Sequence, residues 1–453
     1  MKVIITSAPV YHRLDVLSMH VMPPTAVYLL AAIVRNEGFC IDVVDPEEIK
    51  DLFIDDQLSE RQKSSLVNFY GSADIICVSS NTLTWPNAKV LIHFLKQFFP
   101  DKIIIAGGLH PSYFHEYIMN STPVDYVIRG HAESILVELL HAIKNKGDVS
   151  TINNLCYRNN DKVKINKTSL ICTKEMIQGN PLPAYDLVPS KLYHILPVES
   201  SRGCMFNCMF CSIPGHRNWV SCDIDWICKR ITESIERFGK RFTSKTLYFT
   251  DDCFTADAYR ASAILNYLST RHPEYKIILE TRATDILSEN GDKLVAAFKN
   301  ANIVRLATGV ECGYDKGLAH IRKGLNIDLL TQSINKLCDN HLIERAFYTF
   351  IIGFPWESID DCLHTVDFAA QLQVRYSRNI ANLGWLFLLP SEIWETRNKY
   401  GICLDESVFD NKNYLIDDVF FEIIHPSIKV SGKQFVEERI KFYNDRGVMM
   451  RNP

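Results

Sequence analysis

The sequence predicts an α/β protein with two parallel-sheet domains, and three observations support this fold class. Short apolar segments alternate with helical segments through the first 140 residues, which is the pattern of a doubly wound parallel sheet. The alternation stops in a polar, proline-containing stretch and resumes near Ile195. At 453 residues, the chain is long enough for two or three domains with their own cores.

The N-terminal domain, residues 1–140, is predicted to resemble a Rossmann fold. Its predicted strands and helices are strands 2–6, 41–44, 74–79, 102–106 and 124–128, and helices 25–36 and 86–99. Pro23 and Pro24 precede the first helix and Gly38 follows it, as expected at helix ends. No G-x-G-x-x-G follows the first strand, which argues against a dinucleotide site.

Gly107 and Gly108 follow the fourth predicted strand. Ligands of open parallel sheets bind beyond the carboxyl ends of the strands. The missing side chains would let a bulky ligand approach the backbone there, although a plain tight turn also explains a Gly-Gly pair.

A linker is predicted at 141–190, with a strand at 155–158 and a polar turn at 159–167. A second domain is predicted at 191–395 and a short helical C-terminal extension at 396–453. The second domain contains six strand–helix units. Their strands are predicted at 195–199, 246–250, 276–281, 303–309, 346–352 and 380–388, with helices that include 223–238, 256–270 and 329–340. Right-handed crossovers place the strand ends on one rim, where barrel enzymes assemble their sites. A predicted helix at 435–444 is expected to cap the barrel mouth.

Cys204, Cys208 and Cys211 form the spacing C-x3-C-x2-C. Three thiolates are one too few for a closed tetrahedral zinc site. They suit a [4Fe-4S] cluster that leaves one iron open for a small-molecule ligand. The alternatives are three unrelated cysteines in a loop, or a zinc knuckle with His216 as the fourth ligand.

This motif resembles that of the radical SAM superfamily. The resemblance implies a partial (β/α)6 barrel in which the open iron binds S-adenosylmethionine. Reductive cleavage of that molecule then yields a 5′-deoxyadenosyl radical. Phe210 occupies the position of the family's aromatic residue against the adenine.

The resemblance also implies a set of cofactor-binding residues at successive strand ends of the barrel. Asp251 and Asp252 are expected to hold the amino group of S-adenosylmethionine, because a carboxylate suits its ammonium. Arg282 is expected to pair with the carboxylate of the same ligand. Glu311 with Lys323, and Gly353 near the adenosine, complete the set. Each of these residues alone is also consistent with a capping or surface role.

The first domain resembles the cobalamin-binding domain that precedes the radical SAM domain in one large subgroup. The matching segments are Pro23–Thr25, Ser79–Thr82, Ala106–Pro111 and Asp125–Glu133. The cobalamin-binding residues implied by these segments are Ser79, Ser80, Asn81, Gly107, Gly108, His110, Gly130 and Glu133. The sequence lacks the D-x-H-x-x-G motif that supplies a histidine to cobalt. His110 and His131 are therefore the candidate axial ligands, and hydrogen-bonding histidines are the alternative.

Composition and charge limit the classes of binding partner and the cellular location that we expect. A net charge of −4 does not support a nucleic-acid-binding surface. No segment approaches the roughly 18 apolar residues that span a bilayer, and the N-terminus lacks the layout of a signal peptide. Irregularly spaced cysteines in a chain of this size indicate buried thiols in a reducing compartment. We therefore expect a cytoplasmic protein that binds neither membrane nor nucleic acid.

These resemblances predict a cobalamin-dependent radical SAM enzyme, with a methyltransferase acting on an unactivated carbon as the leading hypothesis. The expected partners are a small-molecule or peptide substrate and an electron donor such as flavodoxin or ferredoxin. The alternatives are a non-methylating cyclase or rearranging enzyme on the same scaffold, a methylthiotransferase, and a non-catalytic cobalamin sensor or carrier. A methylthiotransferase needs three further cluster cysteines, and Cys40, Cys77 and Cys156 are poorly placed for that role.

Overall fold

The computed structural model describes residues 1–10, 22–53, 58–160, 162–169, 172–213, 218–376, 380–414, 417–448 and 450. The chain divides into two compact units. The first comprises Met1–Leu196, Ser234–Ser244 and Asp405–Lys412, and the second comprises Pro197–Glu233, Lys245–Leu404 and Asn413–Pro453.

The first unit contains a seven-stranded sheet of order β2-β1-β3-β4-β5-β6-β7. Its strands are β1 Lys2–Ser7, β2 Cys40–Val44, β3 Ile75–Ser79, β4 Ile103–Gly107, β5 Tyr126–Ile128, β6 Leu155–Asn159 and β7 Lys162–Ile165. Its helices are α1 Thr25–Asn36, α2 Pro46–Ile49, α3 Glu60–Tyr70, α4 Trp85–Phe98, α5 Leu109–Tyr113, α6 His115–Ser121, α7 Glu133–Asn145 and α8 Lys174–Gly179.

Strands β1 to β5 pair in parallel, as the alternating sequence pattern predicted. Parallel strands covered on both faces need continuous apolar runs, and in β3 Ile75, Ile76 and Val78 are almost fully buried. The order 2-1-3-4-5 reverses direction between β1 and β3. Ligand crevices form at such a switch point, beyond the carboxyl ends of the strands.

Residues 141–190 were expected to form a linker, but part of this segment belongs to the first sheet. β6 pairs antiparallel with β5, and β7 pairs antiparallel with β6. Leu155, Cys156 and Tyr157 are buried, so the apolar start of β6 continues the core of the sheet. The polar stretch after residue 159, expected to be a turn, instead forms a hairpin whose second strand is β7.

The second unit contains a six-stranded sheet of order β15-β14-β13-β12-β11-β8. Its strands are β8 Leu196–Val198, β11 Thr246–Phe249, β12 Lys276–Thr281, β13 Ile303–Glu311, β14 Ala346–Ile352 and β15 Ala381–Trp385, and a separate hairpin joins β9 Ser201–Arg202 to β10 Val220–Ser221. The helices that follow β8 in the chain are α9 Ile224–Phe238, α10 Ala258–Arg271, α11 Ala283–Ile286, α12 Gly291–Asn300, α13 Asp315–His320, α14 Ile327–Asp339, α15 Ile359–Tyr376, α16 Glu392–Glu395, α17 Asp418–Ile424 and α18 Lys429–Asn444.

Short 3₁₀ helices occur in both units. They lie at Lys50–Phe53, Tyr185–Leu187, Gly239–Arg241, Phe254–Ala256, Ile343–Arg345, Arg397–Tyr400 and Glu406–Asp410.

All six predicted strands of this unit are present, and β11 to β15 pair in parallel. The segment after residue 395 is helical, as predicted. In its last helix, α18, Tyr443 donates a hydrogen bond to Asp367 of α15 at 2.9 Å, so α18 packs against α15. A role as a cap over the barrel mouth stays a prediction.

Candidate active site

The three cysteines of the motif lie on a loop that begins at β9 and is fixed by backbone contacts. Gly203 has a φ of +77°, and a Cβ there would lie 2.0 Å from the carbonyl oxygen of Asn218, so only glycine fits this turn. The amide of Cys211 donates to the carbonyl of Cys208 at 3.2 Å. The amide of Met209 donates to the carbonyl of Ile321, also at 3.2 Å, which ties the loop to the segment after α13.

The three thiols are partly or fully buried and interact electrostatically. Burial, then the nearby Cys208 and Cys204 thiols, raises the pKa of Cys211 to about 11. Within the described ranges, no three His, Cys, Asp or Glu side chains converge as ligands of a single metal ion. Each thiolate of a cluster binds a different iron, so the ligands need not converge on one point, and the donor set fits a [4Fe-4S] cluster. His216, the zinc-knuckle candidate, lies outside the described residues.

Asp251 and Asp252 follow β11, but only Asp252 remains a candidate ligand for S-adenosylmethionine. Asp251 is 3% exposed, and its carboxylate accepts hydrogen bonds from the Ser200 amide (3.0 Å) and from the hydroxyls of Ser200 (2.6 Å) and Ser201 (2.5 Å). Burial raises the pKa of Asp251 to about 6 despite these donors. Asp251 therefore fixes the start of the cysteine loop, while Asp252 accepts from the amide of Gly203 at 2.9 Å.

Glu311, Lys323 and Arg282, each predicted from the resemblance as a cofactor-binding residue, come together in the structure. Lys323 Nζ lies 2.7 Å from Glu311 Oε1, and both residues are buried. Burial lowers the pKa of Lys323, but the Glu311 carboxylate outweighs this effect and the pKa is raised. Arg282 donates to the carbonyl of Lys323 at 2.5 Å and lies over the ring of Phe206.

A bulge in β13 creates this ion pair. The pairing register of β13 with β14 shifts between Gly309 and Glu311, and Glu311 adopts a φ of +74°. A Cβ at Gly309 would lie 2.3 Å from Glu311 Oε1 and 2.9 Å from Lys323 Nζ. The glycine therefore leaves the room that the Glu311–Lys323 pair occupies.

Phe210 lies near Gly353 because its ring contacts the ring of Phe354, the residue that follows Gly353. The rings of Phe210 and Phe354 meet edge to face with centroids 6.0 Å apart, and Lys323 Nζ lies 5.7 Å from the Phe210 ring centroid. The amides of Gly353 and Phe354 donate to Glu357 Oε2 at 2.7 Å and 2.9 Å. The turn after β14 thus approaches the aromatic residue of the cysteine motif.

Two residues of this unit were missed as site residues. Glu357 is fully buried and also accepts a hydrogen bond from the Tyr314 hydroxyl at 2.8 Å, and burial raises its pKa to about 7. Its position four residues after Gly353 was the available signal. Cys253, expected to be a buried small hydrophobe, interacts with Cys204 and lowers the pKa of the Cys204 thiol. Its place beside Asp252 was the signal.

The first unit has a cavity of about 370 Å³ at the switch point of its sheet. Four of the predicted cobalamin-binding residues, Ser79, Ser80, Asn81 and Gly108, line it. Ser80 Oγ is buried and has no hydrogen-bond partner within the described part of the chain, so a bound ligand would satisfy it.

Four other predicted cobalamin-binding residues do not line this cavity. Gly107 ends β4, and Glu133 begins α7. Gly130 is linked to the cavity only indirectly, because its amide donates to Ser112 Oγ (2.8 Å), which in turn donates to the carbonyl of Gly108 (2.6 Å).

His110 is fully buried. Its ring stacks on Trp85 with centroids 4.7 Å apart and meets Phe409 at 5.5 Å, and burial lowers its pKa well below the usual range. An imidazole enclosed in this way packs the core, which argues against the predicted role of His110 as an axial ligand. His131 does not line the cavity either.

The cavity also has walls that sequence reasoning missed. They are formed by Glu47 and by Tyr193, which lies far along the chain, whereas Pro23 and Pro24, which also line the cavity, belong to a segment that matched the cobalamin-binding resemblance. The Tyr193 hydroxyl donates to the buried carboxylate of Asp45 at 2.7 Å. A contact over this sequence separation leaves no local signal.

Comparisons with known proteins agree with this architecture. Residues 198–369 match the radical SAM superfamily, and residues 18–140 match the B12 binding domain. The chain is 26% identical over 364 residues to an uncharacterized methyltransferase of Pyrococcus horikoshii, which covers 79% of this chain and 75% of that protein. It is 22% identical over 404 residues to the anaerobic magnesium-protoporphyrin IX monomethyl ester cyclase of Rubrivivax gelatinosus, which covers 87% of this chain and 69% of that protein.

A solved structure has the same fold. The radical S-adenosylmethionine methyltransferase TsrM from Kitasatospora setae, with cobalamin and a [4Fe-4S] cluster bound, superposes with a TM-score of 0.69 at 14% identity over 90% of this chain and 79% of that one. Among the described residues, no helix is long and apolar enough to cross a bilayer. With a B12-binding domain followed by a radical SAM domain, the chain is a cobalamin-dependent radical SAM enzyme whose cofactors are a [4Fe-4S] cluster, S-adenosylmethionine and cobalamin.

Proposed function

We propose that this enzyme is a methyltransferase that adds a methyl group to an unactivated carbon of a small molecule or peptide. The observation that carries the proposal is the presence, in one chain, of a three-thiol cluster loop and of a cavity at the switch point of a B12-binding domain. When bound, the cluster with S-adenosylmethionine supplies a carbon-centred radical, and cobalamin supplies a methyl group.

The residues of the second unit are suited to hold a zwitterionic ligand beside the cluster loop. Asp252 offers a carboxylate for an ammonium group, and Arg282 offers a guanidinium for a carboxylate. Arg282 is fixed by its bond to the carbonyl of Lys323 and by the Phe206 ring, so it loses little rotamer freedom on binding. Phe210 offers a ring face or edge for a nucleobase.

In the first unit, Ser80 and Gly108 are suited to hold cobalamin. Gly108 has a φ of +99°, and a Cβ there would lie 2.5 Å from the carbonyl oxygen of Ser80, so the loop after β4 stays close to the loop after β3. Ser80 Oγ is a buried hydroxyl at the cavity wall. Such an uncompensated group favours a ligand that returns its hydrogen bond.

Cyclisation is the second candidate reaction, and the similarity to the R. gelatinosus cyclase favours it. Such an enzyme would use the same cofactors without net transfer of a methyl group to the substrate. The two reactions therefore differ in the carbon count of the product.

The test begins with anaerobic reconstitution and a metal count, for which we expect about four irons and one cobalt per chain. The reduced enzyme is then given S-adenosylmethionine labelled with deuterium in its methyl group, together with small-molecule and peptide fractions of an anaerobic cell extract. A product with one added labelled methyl group supports the proposal. Loss of hydrogen with a new ring and no label would favour cyclisation.

Two variants complete this test. Cys204→Ala should lose the cluster absorbance and form no 5′-deoxyadenosine. Cys228→Ala, which removes a buried thiol of α9 in the same unit, should retain both. Wild-type protein that binds cobalamin and a cluster but never forms 5′-deoxyadenosine would overturn the proposal in favour of a cobalamin sensor or carrier.

A further inference from the structure

His425 is a buried histidine that has no role in the site described so far. It directly follows α17 and is 3% exposed. Its Nδ1 lies 2.5 Å from the carbonyl oxygen of Gly353, the residue that follows β14. A carbonyl oxygen only accepts, so the Nδ1 of His425 donates this hydrogen bond. The C-terminal extension therefore contacts the turn after β14 through a directed hydrogen bond.

The His425 side chain is fixed in this position by its surroundings. Its ring packs against the rings of Phe421 and Trp385, whose centroids lie 4.2 Å and 5.7 Å away. Its amide donates to the carbonyl of Phe421 at 2.8 Å, and its carbonyl accepts from the amide of Ile428 at 3.0 Å. Burial lowers the pKa of His425 to about 4, so at neutral pH the ring is uncharged and carries its single N–H on Nδ1.

The Gly353 turn is held through both polar groups of the Gly353 backbone. The amides of Gly353 and Phe354 donate to the buried carboxylate of Glu357. The carbonyl of Gly353 accepts from His425. A Cβ at Gly353 would lie 2.7 Å from Trp385 Cε3 and 2.9 Å from His425 Nδ1, so only glycine allows this close approach.

The position of this turn sets the position of the Phe354 ring. Phe354 is fully buried, and its ring meets the Phe210 ring edge to face. Aromatic pairs are stabilised only in such preferred arrangements, so a shift of the turn would weaken the contact. Phe210 lies on the cysteine loop and is the residue suited to hold a nucleobase in the proposed function. A hydrogen bond from α17 thus supports the nucleobase side of the candidate site.

We propose that His425 is a positioning residue for S-adenosylmethionine, which acts through the Gly353 carbonyl to hold the Phe354 ring against Phe210. The inference rests on the role of Phe210 in the proposed function and is independent of the reaction that the radical initiates. Without the His425 donor, the carbonyl of the buried Gly353 loses its partner, and the turn gains by moving toward another donor. One hydrogen bond of ordinary net strength changes an equilibrium roughly 2- to 10-fold, which sets the scale of the expected effect.

The experiment measures the affinity of the anaerobically reconstituted holoenzyme for S-adenosylmethionine, and the rate at which the dithionite-reduced enzyme forms 5′-deoxyadenosine before any substrate is added. His425→Leu removes the donor and keeps an apolar side chain, whereas His425→Asn keeps an N–H close to the position of Nδ1. We expect His425→Leu to raise both the Kd and the KM for S-adenosylmethionine roughly 2- to 10-fold, with the rate at saturation near the wild-type value. His425→Asn should recover most of the affinity.

His272→Leu is the matched control, because His272 is also a buried histidine at a helix end of this unit. Its Nε2 lies 2.9 Å from the hydroxyl of Thr232 on α9. This variant should lower the urea midpoint and leave the affinity for S-adenosylmethionine unchanged. Equal affinities for wild type and His425→Leu, an equal loss in His272→Leu, or no recovery in His425→Asn would each overturn the inference.

A second measurement covers the case in which His425→Leu does not fold. Hydrogen exchange of the wild-type holoenzyme is followed by mass spectrometry with and without S-adenosylmethionine. We expect the ligand to slow exchange at 353–357 and also at 425–429, because His425 joins the two segments, and unchanged exchange at 425–429 would overturn the inference. Wild-type enzyme that meets these expectations but never transfers a labelled methyl group would instead contradict the proposed function, so the two failures are distinguishable.

Discussion

Substituting Gly108 by alanine tests the B12-binding cavity most directly. Gly108 has φ +99° and ψ −170°, a backbone region that is almost closed to residues with a side chain. The added Cβ would lie 2.5 Å from the carbonyl oxygen and 3.0 Å from the amide nitrogen of Ser80. Both atoms belong to the backbone of a loop at the cavity wall, so neither moves away without displacing that wall.

The expected cost has two parts. The backbone conformation costs about 1–3 kcal/mol, and the steric contact adds about 1–3 kcal/mol. Gly38 is the matched control, because it has a φ of +79° in the same unit but nothing within 4 Å of its added Cβ. Gly38→Ala should therefore cost only about 1 kcal/mol.

The assay is urea unfolding followed by circular dichroism, with the cobalt content measured after gel filtration in excess cobalamin. We expect Gly108→Ala to unfold at clearly lower urea than Gly38→Ala and to retain less cobalamin. Equal unfolding midpoints for the two variants, with cobalt at the wild-type level in both, would refute the steric argument and the placement of the cavity wall.

Two further predictions concern the second unit. Lys323→Met should lower the free energy of unfolding by about 3–5 kcal/mol, because it leaves the buried Glu311 carboxylate without its partner at 2.7 Å. The double variant Lys323→Met with Glu311→Leu should recover part of this loss. Equal urea midpoints for the single and double variants would contradict this prediction. Burial raises the pKa of Glu357 from 4.5 to about 7 in the folded protein. As pH rises, the unfolded chain therefore loses this proton at a lower pH than the folded protein does. The free energy of unfolding of the wild type should consequently fall between about pH 4.5 and pH 7. Glu357→Gln should reduce this fall in urea midpoints measured at pH 5 and pH 8, and an unchanged pH dependence would show that Glu357 does not titrate in this range.

Much of the fold could be predicted from the sequence because its elements are locally encoded. Runs such as Ile103 to Ala106 are long enough in apolar residues to specify buried parallel strands, and Asp45 and Ser59 cap helices through hydrogen bonds with residues two or three positions away. The strand at β6 was predicted, but β7 was missed because it is short and its residues Lys162 and Lys164 are exposed.

The candidate sites were predictable only in part. The loops after β3 and β4 were correctly placed at the cavity, because strand ends of a parallel sheet meet at one edge. His110 was wrong as an axial ligand, because a loop histidine and a buried histidine have the same local sequence. Its burial depends on Phe409, which contacts it across a long sequence separation, and the adjacent Asp410 accepts from the Trp85 indole at 2.8 Å.

The sequence by itself determined the parallel strands of both sheets and the three-thiol motif, since hydrophobic periodicity and ligand spacing are short-range properties of the chain. Only the tertiary structure decided that Tyr193 lines the cavity while its hydroxyl bonds to Asp45, and that Asp251 is a scaffold residue. The physical reason is that these contacts join segments that meet only after the sheets have formed, so no local pattern encodes them.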